Sequence, residues 1–520
     1  MKFKNHLVFN VSVIILLVIV LIGVFAPESL EQTSANAQSF ITDSFGWYYL
    51  IVVTFFVIIC LYLLISPVGR IKLGKPEDKP EFSRIVWLAM LFSAGMGIGL
   101  VFYGTAEPLS HYAISSPTNE IGTEQGMKDA MRFTYFHWGI HAWAVYGIVA
   151  LSLAYTTFRK GGKTLISSTL KPLLGNSMDG RLGRIIDIIA VFATVTGIAT
   201  TLGFGAVQIN GGLSFLYGVP SSFLTQFIII VIVTILFLLS AVSGLGKGIK
   251  ILSNMNMILA FVLFLFVFIL GNTVFILNLF TDTVGTYLQN IVRMSFRISP
   301  LNGENRQWIN TWTIFYWAWW IAWSPFVGIF IARISKGRTI REFVTFVLFI
   351  PSIIGFLWFT VFGGNAMFIE HKGLGSISTF ATEETLFALL EHFPLSAVLS
   401  ILAIVLIGVF FITSADSGTF VLGMLSANGT QNPSNRIKVI WGLLLTSISL
   451  VLLYSGGLDG LQNMMIIAAL PFSVIMILMT VSLLKEVHLE KAEYESKWKK
   501  KKARCDIESF SFNLHSLCLY

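Results

Sequence analysis

Charge is scarce in this chain. Asp, Glu, Lys and Arg make up 12% of its 520 residues while 55% are hydrophobic, roughly half the charged fraction of an ordinary soluble domain. Mean hydropathy is +0.78. This balance excludes a soluble globular protein and points to an all-α polytopic membrane protein. Cysteine is scarcer still: Cys60, Cys505 and Cys518 are the only three, which rules out a disulfide framework and matches no metal-ligand spacing. Cys60 falls in an apolar run, where it reads as a small packed hydrophobe. The formal charge of +8 is no argument for a nucleic-acid partner, because its explanation lies in where the basic residues sit.

Runs of about 20 apolar residues mark helices that cross a bilayer. Twelve such runs occur, near 7–26, 47–66, 84–105, 134–157, 184–208, 223–243, 254–280, 310–333, 341–364, 394–423, 437–456 and 462–484. The first follows a basic start and resembles a signal peptide, yet it is a full span in length and more spans follow, so it reads as a retained helix. With the N-terminus inside, Arg70, Lys72, Lys75, Arg159, Lys160, Lys163, Lys247, Arg333, Lys336 and Arg436 all fall in inner loops. The outer loops hold Lys128, Arg132, Arg293, Arg297, Arg306 and Lys372. The positive-inside rule therefore predicts a plasma-membrane protein with twelve spans and both termini cytoplasmic. Segments 284–297 and 380–392 read as amphipathic interfacial helices. The basic run KWKKKKAR (497–504) reads as a solvated tail or as a contact for anionic lipid.

What the chain has in abundance is tryptophan at unusual depth. In YWAWWIAWSPFVGIF, Tyr316, Trp319, Trp320 and Trp323 recur at i, i+3, i+4 and i+7, one face of a helix. Membrane proteins usually keep tryptophan at the interface. Aromatic faces attract cations and suit quaternary ammonium groups, which have no N–H to donate. Span four adds Trp143 and Tyr146 near mid-membrane, and Trp138, which suits either the same box or an interface belt. Glu107 and Asp416 are the nearest acids to the expected sites, and neither sits beside the tryptophans in sequence. The solute is therefore expected to bring its own carboxylate, as a zwitterion does.

Gly95, Gly97 and Gly99 alternate in span three, and Pro325 interrupts span eight; each lies about 13–14 residues from its span's start. Both are read as mid-membrane breaks of an inverted repeat, spans 3–7 and 8–12, with close helix packing at the glycines as the alternative. Backbone N–H groups freed near Gly97 and Gly99 would receive a carboxylate. Thr413 and Ser414 offer hydroxyl oxygens, and the unwound segment near Ser93 and Met96 offers carbonyls. Such an oxygen-only set suits Na⁺; the bland alternative is hydroxyls bonding back to their own helix.

GMGIGLVFYGTAEP (95–108), HWGIHAWAVYG (137–147), WAWWIAWSPFVGIFIARISKGRT (317–339) and FFITSADSG (410–418) resemble the motifs of the betaine/choline/carnitine transporter family, over about residues 45–485. The resemblance implies a LeuT-type inverted 5+5 repeat preceded by two extra helices, and a homotrimer. Domains are then expected at 1–82 (two peripheral helices), 83–283 (first repeat), 284–484 (interfacial helix and second repeat) and 485–520 (basic tail). It assigns the substrate box to Trp138, Trp143, Tyr146, Trp319, Trp320 and Trp323, with Met96, Gly97 and Gly99 beside it. It assigns sodium to Ser93, Met96, Phe410, Thr413 and Ser414. A second sodium site would use Thr194 and Phe326, but Ile198 stands where a second threonine is expected. Gly99 replaces the Asp typical of choline carriers, which favours a zwitterion. The expectation is a Na⁺-coupled glycine betaine importer for osmoprotection, without a cofactor and not an enzyme. A carrier of proline, ectoine, carnitine or choline, or one coupled to protons, is the alternative. His137 and His141 form an i, i+4 pair but lack, in sequence, a carboxylate or third ligand.

Overall fold

The computed structural model describes residues 7–95, 97–243 and 246–517. Met96, an expected substrate and sodium contact, lies outside them, as does the side chain of Ser93. The chain is helical throughout, and an isolated bridge between Lys72 and Thr339 is its only β pairing among the described residues.

The first helices are α1 (Leu7–Phe25), α2 (Pro27–Ile65), α3 (Arg84–Gly95), α4 (Ile98–Ala113), α5 (Glu124–Trp138) and α6 (Ile140–Ala154). Two short turns, α7 (Ile166–Thr169) and α8 (Lys171–Leu174), lead to α9 (Arg181–Tyr217), α10 (Phe223–Ser243), α11 (Gly246–Leu270) and α12 (Thr273–Ser295). The second half runs α13 (Gly303–Ile309), α14 (Phe315–Ile334), α15 (Ile340–His371), α16 (Thr385–Glu391), α17 (Ser396–Ser426) and α18 (Asn435–Leu517). Ten helical stretches among the described residues are long and apolar enough to cross a bilayer. α3 and α4, of 12 and 16 residues, divide the third expected span. The last two expected spans share α18, which bends where Gly456 (φ −139°) is followed by Gly457 (φ 58°), a left-handed conformation that glycine tolerates.

α14 is the central post. Nearly every residue from Phe315 to Ile334 is buried, and it packs against α6, α9 and α18. α1 and α2 lie outside, against α18. α3 is anchored at its base: Trp87 Nε1 donates to Ser335 Oγ at 3.0 Å, and Arg84 meets Glu342 at 3.0 Å.

Three expectations need correction. α14 is not broken at Pro325. Proline removes the N–H that would bond Ile321 O, but Ser324 Oγ donates to that carbonyl at 2.7 Å and leaves it satisfied. The second interruption lies instead in span four, where Gly139 (φ −92°, ψ −141°) separates α5 from α6. An added Cβ there would lie 2.5 Å from Tyr135 O, which explains the glycine. Span seven ends at Leu270 rather than 280, because Asn272 caps a new helix by accepting from Phe275 N. Segment 380–392 is not an amphipathic helix along a surface. Its helical part is the seven-residue α16, whose six residues from Thr385 to Leu390 are buried against α4 and α17, while its ends at 380–382 and 391–392 are exposed. The expected domain limits at 283/284 and 484/485 fall inside α12 and α18.

Ser324→Ala should leave the Ile321 carbonyl unpaired in the bundle, at a cost of about 1–3 kcal/mol. A lower thermal midpoint of the purified protein is expected, with Ser324→Thr close to wild type; equal midpoints for Ala and wild type would show the hydroxyl is not needed.

Candidate functional site

The helical spacing of α14 stacks three aromatic rings along one face. Trp319 and Trp320 lie nearly parallel, 5.2 Å apart at 9°, and Tyr316 is 5.8 Å from Trp320 at 21°. α5 and α6 supply the crossing walls. Trp138 stands edge-on to Trp320 at 4.9 Å and to Trp319 at 6.1 Å, while Tyr146 approaches Trp320 at 5.9 Å. Trp138 therefore sits with the deep aromatics and not in an outer belt. It does so because Gly139 turns the chain between α5 and α6. Trp143 joins through Tyr146, at 5.6 Å. Trp323 stands a turn further along, edge-on to Phe326 at 5.6 Å.

Glycines let the neighbouring backbones reach these indoles. A Cβ on Gly99 would lie 2.6 Å from Trp319 and 3.3 Å from Trp138, and one on Gly197 of α9 would lie 2.5 Å from Trp323. Gly97 is extended (φ −135°, ψ −151°) and separates α3 from α4. A Cβ there would meet Trp323 at 3.7 Å and Ser414 Oγ at 4.0 Å, so the break, the lowest tryptophan and α17 converge.

The polar atoms divide into used and unused. Trp320 Nε1 donates to His137 O at 2.9 Å. The Nε1 atoms of Trp319 and Trp323 and the hydroxyl of Tyr146 are buried and have no hydrogen-bond partner. Buried donors are rarely left so, and these three suit the carboxylate of a bound solute.

Glu107 is the residue that sequence reasoning undervalued. Its side chain is fully buried. Oε2 accepts from Trp138 Nε1 at 2.6 Å and Tyr316 OH at 2.5 Å, and Oε1 pairs with His137 Nδ1 at 2.7 Å. An acid does stand behind the tryptophans, reached through space and not through neighbouring sequence. The signal was a stripe: Gly99, Tyr103, Glu107 and His111 repeat at i+4 along α4. His137 thus has a carboxylate and a second imidazole, His111, with ligand atoms within 4.8 Å of one another. His141 takes no part; its Nε2 pairs with Ser295 Oγ at 2.9 Å. Both nitrogens of His137 are engaged, Nε2 with Thr313 Oγ1 at 3.0 Å, so the cluster reads as a hydrogen-bonded network.

Of the expected sodium contacts, Phe410, Thr413 and Ser414 lie on α17, and Ser414 Oγ is the one that reaches the Gly97 break. Thr413 Oγ1 bonds back to Val409 O at 2.9 Å and accepts from Asn256 Nδ2 at 3.0 Å. Asn256 Oδ1 is buried and unpaired, an oxygen that sequence reasoning missed. Thr194 Oγ1 donates to Ala190 O at 2.7 Å, and Ile198 packs against Gly418. Phe326 lines a cavity of about 800 Å³ with Met90, Ser240, Arg333, Lys336 and Asp416. That cavity opens at the end of the bundle bearing Lys336 and Lys438 and reaches the ring beneath Trp323.

Gly99→Ala should overpack the Trp319 indole, at a cost of about 1–3 kcal/mol. We expect a shifted tryptophan emission spectrum and a lower thermal midpoint, and near wild-type behaviour for Gly97→Ala. Two indistinguishable variants would contradict the close approach.

The profile described as BCCT, betaine/carnitine/choline family transporter, matches residues 7–492. Glycine betaine transporter OpuD of Bacillus subtilis is 59% identical over 497 residues, 96% of this chain and 97% of that one. A probable glycine betaine transporter of Desulfitobacterium hafniense is 45% identical over 93% of this chain and 97% of its own. An ectoine/hydroxyectoine transporter of Virgibacillus pantothenticus is 44% identical over 92% and 95%. A multi-pass helical bundle, a buried aromatic site and a family match across nearly its whole length together establish that this chain belongs to the betaine/carnitine/choline family of transporters.

Proposed function

We propose that this transporter imports glycine betaine together with Na⁺, as an osmoprotectant carrier. The observation that carries the substrate is the pairing of aromatic faces with orphaned donors. Trp138, Tyr146, Trp319 and Trp320 enclose a trimethylammonium group, and Tyr146 OH with the Nε1 atoms of Trp319 and Trp323 receives the carboxylate. The N-terminus of α4, beginning at Ile98, adds free backbone N–H groups and the positive end of a helix dipole. A lone cation would leave those donors unanswered, whereas a zwitterion uses both halves of the site. The match to a glycine betaine transporter at 59% identity supports the same choice.

Sodium is proposed as cargo moving with betaine. Thr413, Ser414 and backbone oxygens near the break, with Asn256 in reach of Thr413, form an all-oxygen set of the kind a hard cation prefers. Sodium there would tie α17 to the junction of α3 and α4 and so order the site for betaine. The second site at Thr194 and Phe326 receives less support, since Thr194 bonds its own helix and Ile198 offers no oxygen.

Counting α3 and α4 as one span and α18 as two gives twelve, with the inverted five-helix units at spans 3–7 and 8–12. Both termini are then cytoplasmic, and the cavity at Phe326 opens inward. We read this as an inward-facing state of a plasma-membrane carrier that assembles as a homotrimer.

Trp320→Leu and Trp323→Leu each remove a cation–π or donor contact worth about 2 kcal/mol, so betaine affinity should fall roughly 30-fold with membrane insertion intact. Uptake into proteoliposomes with and without an inward Na⁺ gradient is the measurement, and unchanged uptake in both variants excludes the box. Thr413→Ala with Ser414→Ala should raise the half-saturating sodium concentration several-fold; an unmoved sodium curve rules out that site. Competition by ectoine, favoured by the 44% relative, separates the second reading: stronger inhibition by ectoine than by betaine reverses the assignment.

A further inference from the structure

Glu107 takes no part in the substrate contacts described above, yet it is the buried group to which the box is most directly wired. Its carboxylate touches one box ring and the ring stacked beside the box by their polar ends: Trp138 through the indole N–H and Tyr316, which stacks on Trp319 and Trp320, through the phenol O–H, at 2.6 and 2.5 Å on the same oxygen. Trp138 is a donor only, so Oε2 must accept. His137 faces Oε1 with Nδ1 and Thr313 Oγ1 with Nε2, and either tautomer of its imidazole completes both bonds. Two donors therefore converge on Oε2, and two imidazoles face Oε1, His137 at 2.7 Å and His111 at 3.4 Å, so the carboxylate is surrounded by four polar groups.

We propose that Glu107 is the specificity-determining charge of the aromatic box, acting on a quaternary ammonium through Trp138 and Tyr316 without touching it. Two effects run in the same direction. Hydrogen bonding to an anion polarises the donor, so the indole of Trp138 and the phenol of Tyr316 carry more electron density on their faces, which are what a cation reads. The negative charge itself lies behind those rings in a water-free interior, where its field is weakly screened. Holding two rings on one oxygen also fixes the angle at which Trp138 crosses Trp320. The zwitterion's carboxylate stays on the far set of donors, away from Glu107. The betaine/choline distinction made at Gly99 is thus complemented by a charge about two turns along the same stripe of α4, at i+8.

This inference rests on the trimethylammonium reading of the box. Its test compares glycine betaine with 3,3-dimethylbutanoate, in which a carbon replaces the quaternary nitrogen, so that shape and carboxylate are kept while the positive charge is lost. Binding of each to the purified full-length protein is followed by tryptophan fluorescence in the presence of sodium. The wild-type protein should prefer betaine. Glu107→Gln should lower that preference about tenfold while changing the affinity for the carbon analogue by about twofold or less, and Glu107→Asp should restore most of it. If Glu107→Gln weakens both ligands alike, Glu107 only supports packing and the proposal is overturned; an unchanged preference overturns it as well. Should Glu107→Gln fail to fold, Tyr316→Phe uncouples one ring from the carboxylate and should lower the preference about threefold, with equal weakening of both ligands again counting against it. A wild-type protein that binds betaine no better than the carbon analogue refutes the trimethylammonium reading itself, and this inference with it. Preference in the wild type that survives in Glu107→Gln refutes the inference alone.

Discussion

How closely α4 approaches the indole face of α14 governs the rest of the site. That approach is possible because Gly99 presents a hydrogen where any side chain would lie 2.6 Å from Trp319. Once α4 is drawn in, Tyr103 meets Tyr316 at 5.7 Å and Trp319 at 5.8 Å, and Glu107 arrives two turns further along at the polar ends of Trp138 and Tyr316. Gly197 does the same for α9 against Trp323. The site is thus a set of large flat rings accommodated by small residues on the helices around them, a packing mode suited to membranes, where close backbone approach replaces the hydrophobic effect as the source of association.

The interruptions follow from the same constraint. In a bilayer every backbone polar group needs a partner, so irregular backbone persists only where protein or cavity receives it. Gly97 and Gly139 are irregular and both border the aromatic site. Pro325 is not a break, because Ser324 answers the carbonyl it frees. A helix that stays whole keeps Trp319, Trp320 and Trp323 in register, while the irregular points sit on α3–α4 and α5–α6, on either side of it. The central helix is continuous and the interruptions flank it.

Charge in this protein is rare and mostly at the rims, as in the Arg84–Glu342 pair at the foot of α3. Glu107, Asp129, Asp187 and Asp416 are buried acids, and Glu107 is satisfied by Trp138, Tyr316 and His137 around its carboxylate. Asp416 is bonded by Ser240 at 2.6 Å and lines the cavity that also holds Lys438. Glu107 and Asp416 therefore sit in different surroundings: one is sealed behind aromatic rings, the other borders the cavity lined by Phe326.

Much of this was legible in the residues alone. Hydropathy identified the helical membrane bundle, because the cost of unpaired backbone in lipid leaves few alternatives. The 3.6-residue period placed Tyr316, Trp319, Trp320 and Trp323 on one face, and three alternating glycines marked the junction of α3 and α4. What pattern could not supply was anything set by contact between helices distant in sequence. Whether Pro325 breaks its helix depends on where one hydroxyl turns. Whether Glu107 belongs to the box depends on α4 crossing α5 and α14, across 31 and 209 residues of chain. Whether His137 pairs with His141 or with His111 depends on the same crossing. Periodicity is a property of one helix and is written in its own residues; partnership between helices is decided by which surfaces can close on each other, and that only the tertiary structure determines.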